Sequence, residues 1–218
     1  MKKNITIAID GTAASGKGTL AKKLAKEFNY AYLDTGKLYR ASALIIKEKD
    51  INYQNLKEII KVIKDYNFTD FDFNNDKLKS DKIGRLASLI SGYKELREIL
   101  LLSQRKFANK RHSKRLGVIL DGRDIGSVVL PEANIKFFVT ASLRVRAERR
   151  WKELISLGQS TIKRHVEKDL RDRDERDSKR KHSPLIISPD AVLIDTTNLN
   201  ADEVFLLAKN NVEEYLRY

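Results

Sequence analysis

Gly11-Thr12-Ala13-Ala14-Ser15-Gly16-Lys17-Gly18-Thr19 places three glycines, a lysine and three hydroxyls where an apolar run, Ile5–Ile9, gives way to a stretch of helical period, Lys17–Phe28. That order suits a phosphate. Gly11 and Gly16 permit backbone angles that a side chain blocks. Successive N–H groups then converge on phosphate oxygens, and the positive end of the helix adds to the attraction. Lys17 would reach the β- and γ-phosphates as a point charge, and a nearby hydroxyl would ligate Mg²⁺. The usual form of such a loop has Ser or Thr directly after the lysine. Here Gly18 holds that place and the hydroxyl comes one residue later, at Thr19.

Two further runs end in chemistry-bearing residues. Ala31–Asp34 leads into Thr35-Gly36-Lys37-Leu38-Tyr39-Arg40, and Val118–Asp121 leads into Gly122-Arg123-Asp124-Ile125-Gly126. In an open parallel sheet, ligands bind beyond the carboxyl ends of the strands. Asp34 and Thr35 would therefore lie beside the phosphate loop, with Arg40 reaching back from the following helix. A helix cap by Asp34 or Thr35 and a solvated arginine account for the same residues. Asp121, after apolar residues, has the form of a carboxylate that orients Mg²⁺ or its waters; a turn cap is the alternative. Gly122-Arg123-Asp124 is harder to explain as structure, because it sets a cation and an anion at the same sheet edge.

The elements that must position these residues follow from patterning. Strands are expected at Ile5–Ile9, Ala31–Asp34, Val118–Asp121, Lys136–Val139 and Ala191–Asp195, short and rich in apolar residues. Between them, Lys17–Phe28, Leu96–Phe107 and Ala201–Tyr218 have apolar residues at helical spacing. The alternation predicts an α/β fold, a five-stranded parallel sheet flanked by helices. Residues 51–91 are polar, with one helix at Leu56–Lys64 and one weak strand at Asn67–Phe73. They read as an insertion. Arg144–His182 is dense in arginine and acidic residues.

The 218 residues can bury a core without disulfides. With no cysteine, a disulfide framework, thiolate zinc, an iron–sulfur cluster and a thiol nucleophile are excluded. His112, His165 and His182 lack metal-ligand spacing. Lys and Arg number 43 against 30 Asp and Glu, a net charge of +13, which favours a polyanionic partner. Aromatics are only 8%, with no stacking run, which argues against nucleic acid. No signal or membrane-spanning segment is apparent, so no membrane partner and a cytoplasmic location are expected.

Taken together, the glycine-rich loop with its Gly-Lys-Gly-Thr ending, Leu33-Asp34-Thr35-Gly36 with Tyr39-Arg40, Asp121 to Gly126, and Arg173-Asp174-Glu175-Arg176-Asp177 resemble, in order and spacing, the bacterial cytidylate kinase family of P-loop kinases. The resemblance runs over nearly the whole chain. It implies transfer of the γ-phosphoryl group of Mg-ATP to CMP or dCMP. It also implies a single domain: a core at about 1–50 and 95–218, an acceptor-binding insertion at about 51–94 and an Arg-rich lid at about 155–182. By similarity, Gly11, Thr12, Ala13, Ala14, Ser15, Gly16, Lys17, Gly18 and Thr19 bind ATP. Thr35, Arg40 and Arg123 hold the acceptor nucleotide, and Asp124 reads the cytosine amine. Ser88 and Arg97 are further base contacts. Arg173, Asp177 and Arg180 reach the sugar and the transferring phosphates. Lys17, Arg123, Arg173 and Arg180 are the expected catalytic cations, Thr19 and Asp121 the metal-binding residues, and a monomer the expected state. The segment 67–86 is shorter than is typical of that family, and Thr35 stands where a serine is common.

Arginines without a catalytic base make chemical sense for such an acceptor. A phosphate monoester, with a second pKa of about 6, is already an anion at neutral pH. The obstacle is repulsion between two polyanions, which cations relieve. If helical, Arg173, Arg176 and Arg180 would share one face, as would Arg146, Arg149 and Arg150. Ordinary i,i+4 pairing on a solvated helix is the competing account of both sets.

Overall fold

The computed structural model describes residues 5–68, 71–110, 112 and 115–217. All five expected strands form, as β1 (Ile5–Gly11), β2 (Ala31–Asp34), β3 (Gly117–Asp121), β4 (Ile135–Thr140) and β5 (Val192–Asp195). They make one parallel sheet in the order β2-β3-β1-β4-β5. β1 lies between β3 and β4, which is why its sequence is a nearly continuous apolar run. The register brings the strand ends level: Asp34 sits opposite Asp121, Ile9 opposite Asp121 and Gly11 opposite Val139. Asp10, Asp34 and Asp121 thus reach the same edge of the sheet.

Helices α1 (Lys17–Glu27) and α8 (Ala201–Arg217) cover one face. Leu20, Leu24, Val204, Ala208 and Val212 close that core against Ile7, Ile9 and Phe137. Between β2 and β3 run α2 (Thr35–Glu48), α3 (Leu56–Lys64), α4 (Asp81–Ile90) and α5 (Lys94–Asn109). Their buried Leu44, Ile46, Ile59, Ile83, Leu96 and Leu100 form a second apolar cluster, so the polar stretch is anchored by a few well-spaced aliphatics.

The strand expected at Asn67–Phe73 does not form among the described residues. Tyr66, Phe68, Phe71 and Phe73 pack their rings on one another and on the second cluster. Lys37 donates to Phe73 O at 2.8 Å. The aromatic alternation that imitates a strand is a packing ladder, satisfied by ring contacts without a partner strand. After β4 come α6 (Leu143–Ser156) and α7 (Lys163–Lys179), which bury Ala147, Leu154, Val166 and Leu170 between them. No helix among the described residues is long and apolar enough to cross a membrane.

Candidate active site

The glycine-rich loop is held open by sterics and by its carbonyl partners. Gly11 has φ +148°, and a Cβ there would stand 1.9 Å from Val139 O, so no other residue fits. Ala14 (φ 59°) and Gly16 (φ 93°) take left-handed turns, and no side chain caps the start of α1. Such turns point successive N–H groups into one concavity. The loop carbonyls meanwhile find donors on its far side. Ser15 Oγ and Lys17 Nζ donate to Thr12 O at 3.0 and 3.2 Å. Arg146 Nη1 donates to Ala13 O at 3.3 Å, and Thr196 Oγ1 to Ser15 O at 3.0 Å. Arg149 secures Thr196 in turn, at 2.8 Å to its hydroxyl and 2.7 Å to its carbonyl.

Beyond this loop opens a cavity of about 400 Å³, lined among others by Gly16, Thr19, Arg149, Arg150, Thr196 and Asn200. Thr19 is exposed and faces this cavity. Thr19 and Asp121, both expected at the metal, do not point toward each other in the unliganded site. One residue along a helix turns the side chain by about 100°. It is position 18 whose Cβ would face Asp121, 3.4 Å from Oδ2. Lys17 is half-buried beside these groups. Burial, then the Arg123 and Arg173 guanidiniums, lower its pKa to about 7, against the opposite pull of Asp121 and Asp34. Burial and the neighbouring Asp34 raise Asp121 to about 7.

A second cavity, with only about 40 Å³ free, lies between β3 and the helices. The structure brings Thr35, Ser88, Arg97, Arg123, Asp124, Arg173, Asp177 and Arg180 together there from five separate stretches of chain. Arg97 Nη2 donates to Asp124 Oδ2 at 2.5 Å, and its Nη1 donates to Ser91 O at 3.2 Å. Tyr39 lies under the Arg97 guanidinium at 5.4 Å. Arg180 lies 3.8 Å from Asp124. Arg123 Nε donates to Asp177 at 2.9 Å. Burial alone would raise the Asp177 pKa, but Arg123, Arg173 and Arg180 outweigh it and hold the carboxylate below its usual range.

The capping account and the site account are both realised at the β2 end. Asp34 accepts from Lys37 N at 3.2 Å, the cap of α2. Thr35 Oγ1 donates to Asp121 O at 2.7 Å, which ties α2 to the end of β3. Tyr32 OH donates to Asp121 Oδ1 at 3.2 Å.

Arg40 is half-buried and hydrogen-bonded rather than solvated. It donates to Leu78 O at 2.5 Å, and Gly84 makes room for it: a Cβ there would be 2.9 Å from Arg40 Nη2. Burial and the nearby Arg150 lower the Arg40 pKa to about 10; burial and Arg123 lower that of Arg173 to about 9. Arg173 Nε and Arg180 Nη2 are buried without a hydrogen-bond partner. Several guanidiniums thus crowd one another beside Lys17, and an anion placed among them would relieve that repulsion.

Two expected helix faces come apart. Arg180 follows the end of α7 with extended backbone (φ −62°, ψ 142°), so it does not continue the Arg173–Arg176 row. Arg176 Nε donates to Ser88 Oγ at 3.2 Å instead. On α6, Arg146 bridges Ala13 O and Asp174 Oδ2 (2.7 Å), Arg149 holds Thr196, and Arg150 donates to Lys79 O at 3.0 Å. Arg146 and Arg149 are not solvated helix pairs, whereas Arg150 also pairs with the exposed Glu153 one turn on, at 2.8 Å. Sequence reasoning missed Tyr32, Tyr39, Gly84 and Arg150 as parts of this site. The spacing of Arg146, Arg149 and Arg150 was the available signal for the last.

A family model described as "Cytidylate kinase" matches residues 7–214. A cytidylate kinase of Fusobacterium nucleatum is 40% identical over 219 residues, covering 97% of this chain and 98% of that one. One of Rhodospirillum rubrum is 43% identical over 202 residues, covering 93% and 94%. Among solved structures, a gluconokinase from Sinorhizobium meliloti 1021 superposes with a TM-score of 0.52 at 13% identity, over 100% of this chain and 99% of that one. A sugar kinase from Janibacter sp. HTCC2649 gives 0.51 at 12%, over 97% and 95%. These two share the fold.

Proposed function

The chain belongs to the cytidylate kinase family, and from that premise we propose that it transfers the γ-phosphoryl group of Mg-ATP directly to CMP or dCMP, giving ADP and CDP or dCDP. The observation that carries the reading is the cluster of half-buried guanidiniums Arg40, Arg123, Arg150 and Arg173. Burial, with Arg150 near the one and Arg123 near the other, lowers the pKa values of Arg40 and Arg173, and Arg173 Nε has no hydrogen-bond partner, beside Lys17. Such a cluster suits a dianionic acceptor facing a polyphosphate.

In this proposal ATP occupies the 400 Å³ cavity, with its phosphates on residues 11–19. The acceptor occupies the smaller cavity. Arg40, Arg123 and Arg173 hold its phosphate, while Thr35, Asp177 and Arg180 hold the nucleoside. Asp124, held by Arg97, accepts from the cytosine amine, and Ser88 adds a base contact. An ionised carboxylate only accepts hydrogen bonds, so it favours the amine of cytosine over the carbonyl of uracil. Residues 51–94 form the acceptor wall, and the segment at about 155–182 is a lid whose closure excludes water.

The residues present fit Mg²⁺ bound through its own water and the phosphates. Asp121 is a buried carboxylate at the edge of the phosphate loop with Asp34 nearby. No cluster of three or more acidic or histidine ligands exists among the described residues. One or two carboxylates plus phosphate oxygens is the usual donor set for this ion. When bound there it would neutralise phosphate charge. The protein's part is to align the two anions. Lys17 and the arginines neutralise charge on the equatorial oxygens as the acceptor oxygen attacks in line. The acceptor needs no proton removed, so no general base is required and no covalent intermediate forms.

The test is ADP release from Mg-ATP with CMP, dCMP, UMP, AMP or no acceptor. Strong turnover with CMP and dCMP is expected. Preference for UMP or AMP, or acceptor-independent hydrolysis alone, would reject the acceptor assignment.

A further inference from the structure

Asp10, at the end of β1, is only 5% exposed and lines neither the 400 Å³ cavity nor the smaller one. Both of its oxygens are used. Oδ1 accepts from Ile125 N and Oδ2 from Gly126 N, each at 2.7 Å. These are the first two N–H groups after Asp124, and they open the π-helical turn Ile125–Val129. At that length each is a charge-assisted bond, with the carboxylate gripping the main chain on both sides of one peptide unit. The seat is tight. A Cβ on Gly126 would lie 3.1 Å from Lys136 Cδ, 3.2 Å from Ser188 Oγ and 3.4 Å from Asp10 Oδ2.

The residue next to Asp10 is Gly11, which starts the phosphate loop against Val139. The residue next to Ile125 is Asp124, whose own carboxylate is drawn toward Arg97 and Arg180. Arg97 and Arg180 therefore pull on Asp124 from the helical side, while only the main chain resists from the sheet side. Asp10 supplies that resistance. We propose that Asp10 is a positioning residue: it sets Asp124 for the acceptor base and fixes the distance between the acceptor-reading loop and the phosphate loop. It contacts neither nucleotide. The inference rests on the acceptor reading given above.

The test is Asp10→Asn. The amide keeps the volume but offers one oxygen and one NH₂, so one main-chain N–H is left facing a donor. We expect the KM for CMP to rise at least tenfold and the kcat/KM ratio of CMP over UMP to fall at least tenfold, with the KM for ATP essentially unchanged. A Val212→Ala variant, in the α1–α8 core, serves as a control matched in lost Tm; its CMP over UMP ratio should stay at the wild-type value. An Asp10→Asn enzyme that loses stability yet keeps the wild-type ratio and KM for CMP overturns the proposal. Should that variant not fold, Gly126→Ala disturbs the same seat from the loop side, and an unchanged ratio there overturns it equally. The wild-type protein is measured first. If it ignores CMP, the acceptor reading itself fails. If it uses CMP and the variants still discriminate, only the role of Asp10 fails.

Discussion

The two cavities are built by opposite means. The donor side is a single run of nine residues whose shape comes from backbone angles at Gly11, Ala14 and Gly16, with carbonyls tied back by Arg146, Ser15 and Thr196. The acceptor side is made of side chains from α2, α4, α5, the β3 loop and α7, cross-paired into a nearly closed network. A backbone cradle recognises what every nucleoside triphosphate has. A network of side chains can recognise one base. If the proposed assignment of the two cavities holds, generality would come from the main chain and selectivity from side chains that pair with one another until a ligand replaces them.

The harshest way to break this contrast is to remove the one side chain on which the donor side depends. Lys17→Ala should reduce turnover by roughly 10²–10³-fold for every acceptor alike. The circular dichroism melt should be unchanged. Turnover near wild type would show that the loop N–H groups suffice. On the acceptor side the loss should instead be selective. Asp124→Ala should lower kcat/KM for CMP relative to UMP by about a hundredfold, with the KM for ATP within about twofold. It also strands the buried Arg97, and leaving a buried ion without its partner costs about 3–5 kcal/mol. Thermal denaturation would register that, and kinetics that fell equally for CMP and UMP would deny Asp124 its reading role.

A subtler distinction concerns protons. Burial and the guanidiniums of Arg123 and Arg173 hold the Lys17 pKa down in the free protein. Phosphate favours the ammonium form, so the pKa rises when ATP binds. Between the two values binding takes up a proton, approaching roughly one per ATP at about pH 8.5–9. Calorimetry in buffers of different ionisation enthalpy measures this directly. Zero uptake would mean that Lys17 is already fully charged in the free protein. The smallest expected effect is at Gly84. Alanine in a helix interior gains about 1 kcal/mol over glycine. The new Cβ would press on Arg40 Nη2 from 2.9 Å. We expect Tm to hold or rise while the KM for CMP increases severalfold; an unchanged KM would show that Arg40 tolerates displacement.

How much of this was legible beforehand differs between the same two regions. The phosphate loop announced itself because its chemistry is contiguous and its glycines are steric necessities. The five strands were readable because each is a short run rich in apolar residues that gives way to a turn, a loop or, after β2, a helix start. The strand expected at Asn67–Phe73 failed because alternating aromatics pack as readily on each other and on aliphatic helices as they do across a sheet. Hydroxyl chemistry picked out Thr19, but only helix geometry shows that it faces the larger cavity while position 18 faces Asp121. Patterning left Arg40 open between the site and solvent, and left Arg150 without a role, since a sequence does not say which arginine the next helix will cover.

The sequence by itself determined the α/β class, the strand positions, the phosphate-binding segment and, through motif resemblance, the family. These depend on local periodicity and on spacings within one turn of chain. Only the tertiary structure decided which face each arginine of α6 and α7 serves, that Arg180 leaves the helix, and that Asp10 grips the main chain beside Asp124. Those depend on the order β2-β3-β1-β4-β5, which sets residues more than a hundred positions apart side by side. Whether a buried charge is a cost or a tool is settled by the partners it meets there.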